Sequence, residues 1–324
     1  MGVLPGAVFF YAGAFRMTKV AFIFPGQASQ FVGMGRDFYE SSALARQYYD
    51  LAETRLGFPL KKFSFEGPLS ELTETRITQP AIFVLSCIIF FELKARGYRP
   101  DMVAGHSLGE YSALVACGAL TFEDGLDLVK IRAEQMQIAS EQKPGTMAAI
   151  VGLDYDQVKK IISESNYSGV CQIANCNSPA QIVISGDVYK VQSLMTDLKE
   201  AGAKMVVELS VGGAFHSDLM QPASEALKEA LSKTEFKTPD CPIYSNVTAT
   251  ATRDPQEIRN RLYQQLTSPV LWTDTIRNMI ADGAEIFVEV GPGKVLQGLV
   301  KRTSSDVKVL GVSKFNELEQ IAWN

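Results

Sequence analysis

The chain has 324 residues, 46% hydrophobic and 21% charged, with a net charge of −5, a pI near 5.3 and a mean hydropathy of +0.03. That balance belongs to an ordinary globular protein and excludes a disordered or membrane-embedded chain, while the acidic excess excludes general attraction to nucleic acid. An anionic substrate must therefore be met by locally placed cations.

Residues 1–16 (MGVLPGAVFFYAGAFR) are apolar but lack the basic lead and cleavage site of a secretory signal. They are expected to be an N-terminal extension outside the fold, with Met17-Thr18-Lys19 as the better start. Lys19 to Phe24 (KVAFIF) reads as a buried strand ending at Pro25-Gly26, in a loop that carries Gln27. Residues 36–56 and 78–96 have helical length and composition. Met102 to Ala104 is a second short strand before Gly105, 108–117 is a helix stopped by Gly118, and 122–142 is a helix closed by Pro144-Gly145.

From Thr146 the elements shorten: strand 146–152, helix 154–165, strands 170–174 and 181–185, helix 187–201, strand 204–208. This β-α-β-β-α-β order is the ferredoxin-like pattern and predicts a small inserted subdomain over 144–209. The chain resumes with helix 217–233, a strand near Ile243, helices 255–266 and 271–282, and strand Glu285 to Val290. Strands alternating with helices predict an α/β body with a mainly parallel sheet, formed by 17–143 and 210–324. The longest apolar run, Ala81 to Phe91, is too short to span a bilayer and reads as a buried helix. Cys87, Cys117, Cys171, Cys176 and Cys241 have neither zinc-site spacing nor disulfide-scaffold density, which predicts reduced thiols in the cytoplasm.

Gly105-His106-Ser107-Leu108-Gly109 is a G-x-S-x-G motif between a strand and a helix, the setting of a nucleophile elbow. The turn is too tight for side chains at its flanks and lifts the serine hydroxyl to a helix N-terminus, where partial positive charge favours an oxyanion. A serine hydroxyl needs a base, most often histidine. The chain has two histidines, and His106 sits beside the serine, so His216 in Gly212-Gly213-Ala214-Phe215-His216-Ser217 is the candidate base. His106 reads as a packed orienting residue. No acid stands out as a third member; Asp187 and Asp218 are the nearest in sequence, and a backbone or side-chain carbonyl would serve as well. Arg132 lies in an otherwise apolar helical segment apart from Lys130.

The Pro25-Gly26-Gln27 loop, Gly105 to Glu110, Arg132, Gly213 to Ser217 and Glu289-Val290-Gly291-Pro292-Gly293 together resemble bacterial malonyl-CoA:acyl carrier protein transacylases. The resemblance runs from Lys19 to the C-terminal region. It implies an α/β-hydrolase-like body with an inserted ferredoxin-like subdomain, Ser107 as the acylated nucleophile, His216 as general base, and Arg132 as the clamp on the malonyl carboxylate. It further implies that the backbone N–H groups of Gln27 and Leu108 form the oxyanion hole, that the carbonyl of Gln265 orients the histidine, and that the bulk of Phe215 excludes a methylmalonyl group. The partners implied are malonyl-CoA and holo acyl carrier protein, with no metal, bound cofactor, nucleic acid or membrane, and a monomer is expected. The reaction would supply fatty acid synthesis. Two competing readings remain at this point: a serine hydrolase, which has no use for Arg132 facing the acyl chain, and a non-catalytic carrier-protein-binding module, which has no use for an intact Ser107 and His216.

Overall fold

The computed structural model describes residues 18–322; the expected N-terminal extension, 1–16, lies outside them. Strand β1 (Lys19–Phe24) leads into helices α1 (Arg36–Ser41), α2 (Ala43–Leu56), α3 (Leu60–Glu66), α4 (Leu69–Leu72) and α5 (Thr75–Ala95), then β2 (Met102–Gly105), α6 (Gly109–Ala116) and α7 (Phe122–Gln142). Next come β3 (Gly145–Val151), α8 (Tyr155–Glu164), β4 (Cys171–Ser178), β5 (Gln181–Asp187), α9 (Val188–Glu200) and β6 (Met205–Glu208). The chain then returns through α10 (Gln221–Lys233), β7 (Ile243–Tyr244), β8 (Ala251–Thr252), α11 (Pro255–Gln265), α12 (Trp272–Ala281), β9 (Ala284–Val290), α13 (Val295–Thr303) and β10 (Lys308–Val312).

The larger sheet has the order β10-β9-β1-β2-β7-β8, parallel throughout except for the β7–β8 pair. Strand β1 shows why its sequence is a continuous apolar run: Val20, Phe22 and Phe24 join a core with α2 and α5, whereas Ala21 and Ile23 pack with Trp272, Ile276 and Leu299 on the other face. Alternate side chains thus enter two helical layers, and neither face meets water. The smaller sheet, β4-β5-β3-β6, is antiparallel throughout. One face is sealed by Val158 of α8 and by Val191, Leu194 and Leu198 of α9.

The outer edge of β4 is joined to the body: Val270 donates its N–H to Ala174 O at 2.9 Å and accepts the Cys176 N–H at 2.9 Å. Thr273 Oγ1 adds a bond to Cys176 O at 2.9 Å.

Several elements differ from expectation. The helix expected over 36–56 is broken at Ser42, whose extended backbone (φ −125°) lets its hydroxyl cap α2 by accepting the Ala45 N–H; a serine cap inside a helix-length window outcompetes continuation. The helix expected from residue 78 begins three residues earlier, at Thr75, and runs through Pro80, whose missing N–H leaves one i→i−4 bond unmade inside the helix. At 21 residues α5 is long and apolar enough to cross a membrane, but 89% of that stretch is buried in this fold. Helices α3, α4 and α13, strand β8 and the edge strand β10 fall where the sequence predicts no element. All five cysteines are buried and free.

Candidate active site

Strands β1, β2 and β7 deliver three loops to the carboxyl edge of the parallel sheet, where open α/β sheets place their ligand clefts. Ser107 sits between β2 and α6 with φ +51°, a left-handed backbone that a non-glycine residue adopts only when its surroundings enforce it. The flanking glycines supply that enforcement by close approach. A Cβ on Gly105 would lie 1.9 Å from the Gly109 carbonyl carbon, and one on Gly109 would lie 2.0 Å from Phe24 O. Asn246, just after β7, bridges the turn: its Oδ1 accepts the Ser107 N–H at 2.6 Å and its Nδ2 donates to Gly105 O at 2.6 Å.

His216 also has positive φ, +58°, and its imidazole is buried. Its Nε2 is 2.8 Å from Ser107 Oγ and its Nδ1 is 2.9 Å from the backbone carbonyl of Gln265, at the end of α11. The carbonyl can only accept, so Nδ1 carries the proton and Nε2 is the lone pair facing the hydroxyl. The third position is therefore a peptide carbonyl. Asp218 is exposed, and the Asp187 carboxylate is engaged by the Val170 N–H. Burial first, and the Arg132 cation second, push the imidazole down to about 3, which keeps it a neutral acceptor at physiological pH.

Arg132 of α7 is 1% exposed, yet every hydrogen-bond partner it has among the described residues is neutral. Nη1 donates to Gln79 Oε1 at 2.5 Å; Nη2 donates to Ser107 Oγ and to Gln265 Oε1, each at 3.0 Å. Its Nε is buried without a partner. This desolvated guanidinium sits beside a serine hydroxyl with no carboxylate bonded to it; burial presses its pKa down, and the nearby Glu110 offsets that only in part.

The cleft, about 190 Å³, is lined by Gln27, Leu108, Met136, Met147, Val183 and Phe215 beside the polar groups above. The backbone N–H groups of Gln27 and Leu108 form no hydrogen bond among the described residues, leaving one donor in the loop after β1 and one at the start of α6. Phe215 is almost fully buried next to His216. His106, read as an orienting residue, pairs its Nε2 with Asn177 Oδ1 of β4 at 2.8 Å and packs against Trp272. Glu289, in the C-terminal motif, is buried and accepts the Leu296 and Gln297 N–H groups, so it caps α13.

Of the residues expected from sequence, Gln27, Ser107, Leu108, Arg132, Phe215 and His216 line one cleft, and Gln265 bonds to Arg132 and His216. Gln79, Glu110, Asn177 and Asn246 also belong here and were not anticipated. Glu110, directly after the G-x-S-x-G motif, was the only one with a positional signal.

Residues 21–317 match a family model described as an acyl transferase domain. The chain is 44% identical to a malonyl CoA-acyl carrier protein transacylase of Bacillus subtilis over 304 residues, covering 94% of this chain and 96% of the relative. The chain belongs to the malonyl-CoA:acyl carrier protein transacylase family. As a member of that family it is an acyltransferase. Its fold matches solved transacylase-family structures. An acyl-carrier-protein-S-malonyltransferase from Bartonella henselae superposes with a TM-score of 0.90 at 40% identity, covering 94% of this chain and 98% of that one. A malonyl-transacylase in complex with a holo type II polyketide acyl carrier protein gives 0.90 at 35% identity, covering 94% and 98%. The mixed α/β architecture, a mainly parallel sheet with a separate antiparallel sheet, is common to them.

Proposed function

We propose that this acyltransferase moves a malonyl group from malonyl-CoA to the phosphopantetheine thiol of holo acyl carrier protein through a malonyl-Ser107 intermediate, supplying fatty acid synthesis in the cytoplasm. The observation that carries the reading is Arg132: a buried cation with only neutral partners, 3.0 Å from the serine hydroxyl, is matched by an acyl group ending in a carboxylate.

In the first half-reaction Ser107 Oγ attacks the thioester carbonyl as His216 Nε2 takes its proton. The C–S bond then breaks, and the imidazolium returns the proton to the departing thiolate. The oxyanion formed between these events is accepted by the N–H groups of Gln27 and Leu108. In the second half-reaction the carrier-protein thiol gives its proton to His216 and attacks the ester, and Ser107 leaves with the proton. The peptide carbonyl of Gln265 holds the imidazole in one tautomer throughout. We further read the chain as an α/β-hydrolase-like body, 17–143 and 210–324, with a ferredoxin-like insertion, 144–209, and as a monomer.

Intact-protein mass spectrometry after brief incubation with malonyl-CoA tests the reading. A malonyl adduct that persists in buffer and is discharged by holo carrier protein is the expected result. An adduct that decays in water and ignores the carrier would convert the assignment to a hydrolase.

Phe215 offers a separate check on selectivity. Replacing it with serine opens room beside the acyl chain, and one methyl group in a pocket is worth roughly 1–3 kcal/mol. Phe215→Ser is expected to raise kcat/KM for methylmalonyl-CoA relative to malonyl-CoA by about tenfold, and an unchanged ratio in competition assays would remove Phe215 from the selectivity wall.

A further inference from the structure

Behind the serine, on the side away from the cleft, lies a buried carboxylate that the mechanism above does not use. Glu110 is 3% exposed, in the first turn of α6. One of its oxygens, Oε2, accepts two donors: the Asn246 N–H at 3.2 Å and Gln265 Nε2 at 2.8 Å. Both donors belong to residues that hold the reacting groups. Asn246 fixes the Ser107 N–H and the Gly105 carbonyl, and so the strained turn. Gln265 touches more of the site than any other residue described above. Its side-chain oxygen accepts from Arg132 Nη2, its side-chain nitrogen also donates to Ser107 O at 3.1 Å, and its backbone carbonyl meets His216 Nδ1.

We propose that Glu110 is the positioning residue of this site: through Asn246 and Gln265 its carboxylate sets the serine turn, the arginine and the histidine against one another. The inference rests on the reading of Ser107 and His216 as the reacting pair. Without its acceptor at Glu110 the Gln265 amide would keep only the Arg132 and Ser107 contacts, and both would loosen. Ionised Glu110 is the stronger acceptor for both donors, because hydrogen bonds to a charged group are roughly twice as strong as neutral ones.

The charged and titratable groups facing Glu110 are Arg132 from α7, Arg261 from α11 and Tyr111 from its own helix, with His216 beyond Arg132. Arg261 is itself paired with Glu257. Burial outweighs these cations and the two hydrogen bonds and raises the Glu110 carboxyl to about 7. Protonation of Glu110 therefore falls within the accessible pH range, whereas His216, held down to about 3, titrates below it. The acceptor weakens as pH drops through 7, so an acid limb near neutrality is the expected signature of Glu110.

The test is the pH dependence of kcat/KM for malonyl-enzyme formation between pH 5.5 and 9 in wild type, Glu110→Gln and Glu110→Ala. Titration of the substrate is common to all three proteins and cancels in their ratios. Glutamine keeps the shape and an acceptor oxygen but carries no charge at any pH, so it imitates protonated glutamate. Wild type is expected to fall about tenfold on acidification through pH 7, with Glu110→Gln flat and close to the acid plateau of wild type. Glu110→Ala leaves both donors unpaired and is expected to lose about 100-fold at pH 8, with glutamine recovering about tenfold of that. A Glu110→Gln profile running parallel to wild type, its acid limb intact, would overturn the proposal and assign that limb to a group other than Glu110. An absence of any malonyl adduct on wild type would instead remove the functional reading beneath it.

Discussion

Ser107→Ala is expected to form no malonyl adduct with malonyl-CoA and to lose carrier-protein malonylation by a factor on the order of 10^4 or more. The substitution is conservative for the fold. The left-handed turn is imposed by the contacts of Gly105 and Gly109 and by the Asn246 bridge, none of which involves the serine hydroxyl. Removing Oγ leaves His216 neutral and still anchored to Gln265, and Arg132 still bonded to Gln79 and Gln265. The loss is therefore chemical rather than structural, and the thermal midpoint should stay near that of wild type. Intact mass spectrometry of the variant decides it, because an adduct of undiminished yield would relocate the acyl group to another side chain.

Arg132→Ala should produce the second large effect, and of a different kind. Removing one partner from a buried, charge-assisted pair costs about 3–5 kcal/mol, which is a loss of roughly 10^2 to 10^3.5 in kcat/KM for malonyl-CoA. An acyl-CoA without a terminal carboxylate has no such partner to lose. Against acetyl-CoA the variant is expected to react at least as fast as wild type, since a desolvated cation no longer sits beside Ser107 Oγ. The split between the two substrates is the decisive readout: equal losses on both would show that Arg132 supports the site structurally and does not read the carboxylate. A second consequence concerns His216. Arg132 is one of the two main influences holding its imidazole down, so the variant imidazole should titrate above 3, measurable by NMR of the ring protons.

Ser107 and His216 are legible in the sequence from local pattern, whereas Gln27, Leu108, Arg132, Phe215 and Gln265 enter only through the family resemblance. The serine turn needs glycines on both sides at fixed spacing, and a chain with two histidines leaves little choice of base. Strand β1 was readable because a run of five buried residues after Lys19 has no polar interruption. What escaped notice depends on distance along the chain. Glu110 meets Asn246 and Gln265 across 136 and 155 residues, and His106 meets Asn177 across 71. A lone asparagine or glutamine in a loop or helix has no periodicity that marks its partner, so such bonds emerge only once the sheet order is known. The break at Ser42 was missed for the opposite reason: the local cap was present, but the surrounding helical composition concealed it.

On the proposed two-step reaction, the bridge between β4 and Val270 constrains how one thiol could replace the other. Rotating the antiparallel sheet away from the body would break both backbone bonds at Val270, the Thr273 bond and the His106–Asn177 contact. At about 1 kcal/mol net for each such bond, that swing would be costly. The gap between the layers thus behaves as a slot of fixed width, not a jaw. Departure of the first thiol and arrival of the second would then depend on threading a slender pantetheine arm, and turnover should be sensitive to solvent viscosity while hydrogen exchange at Ala174 and Cys176 stays slow.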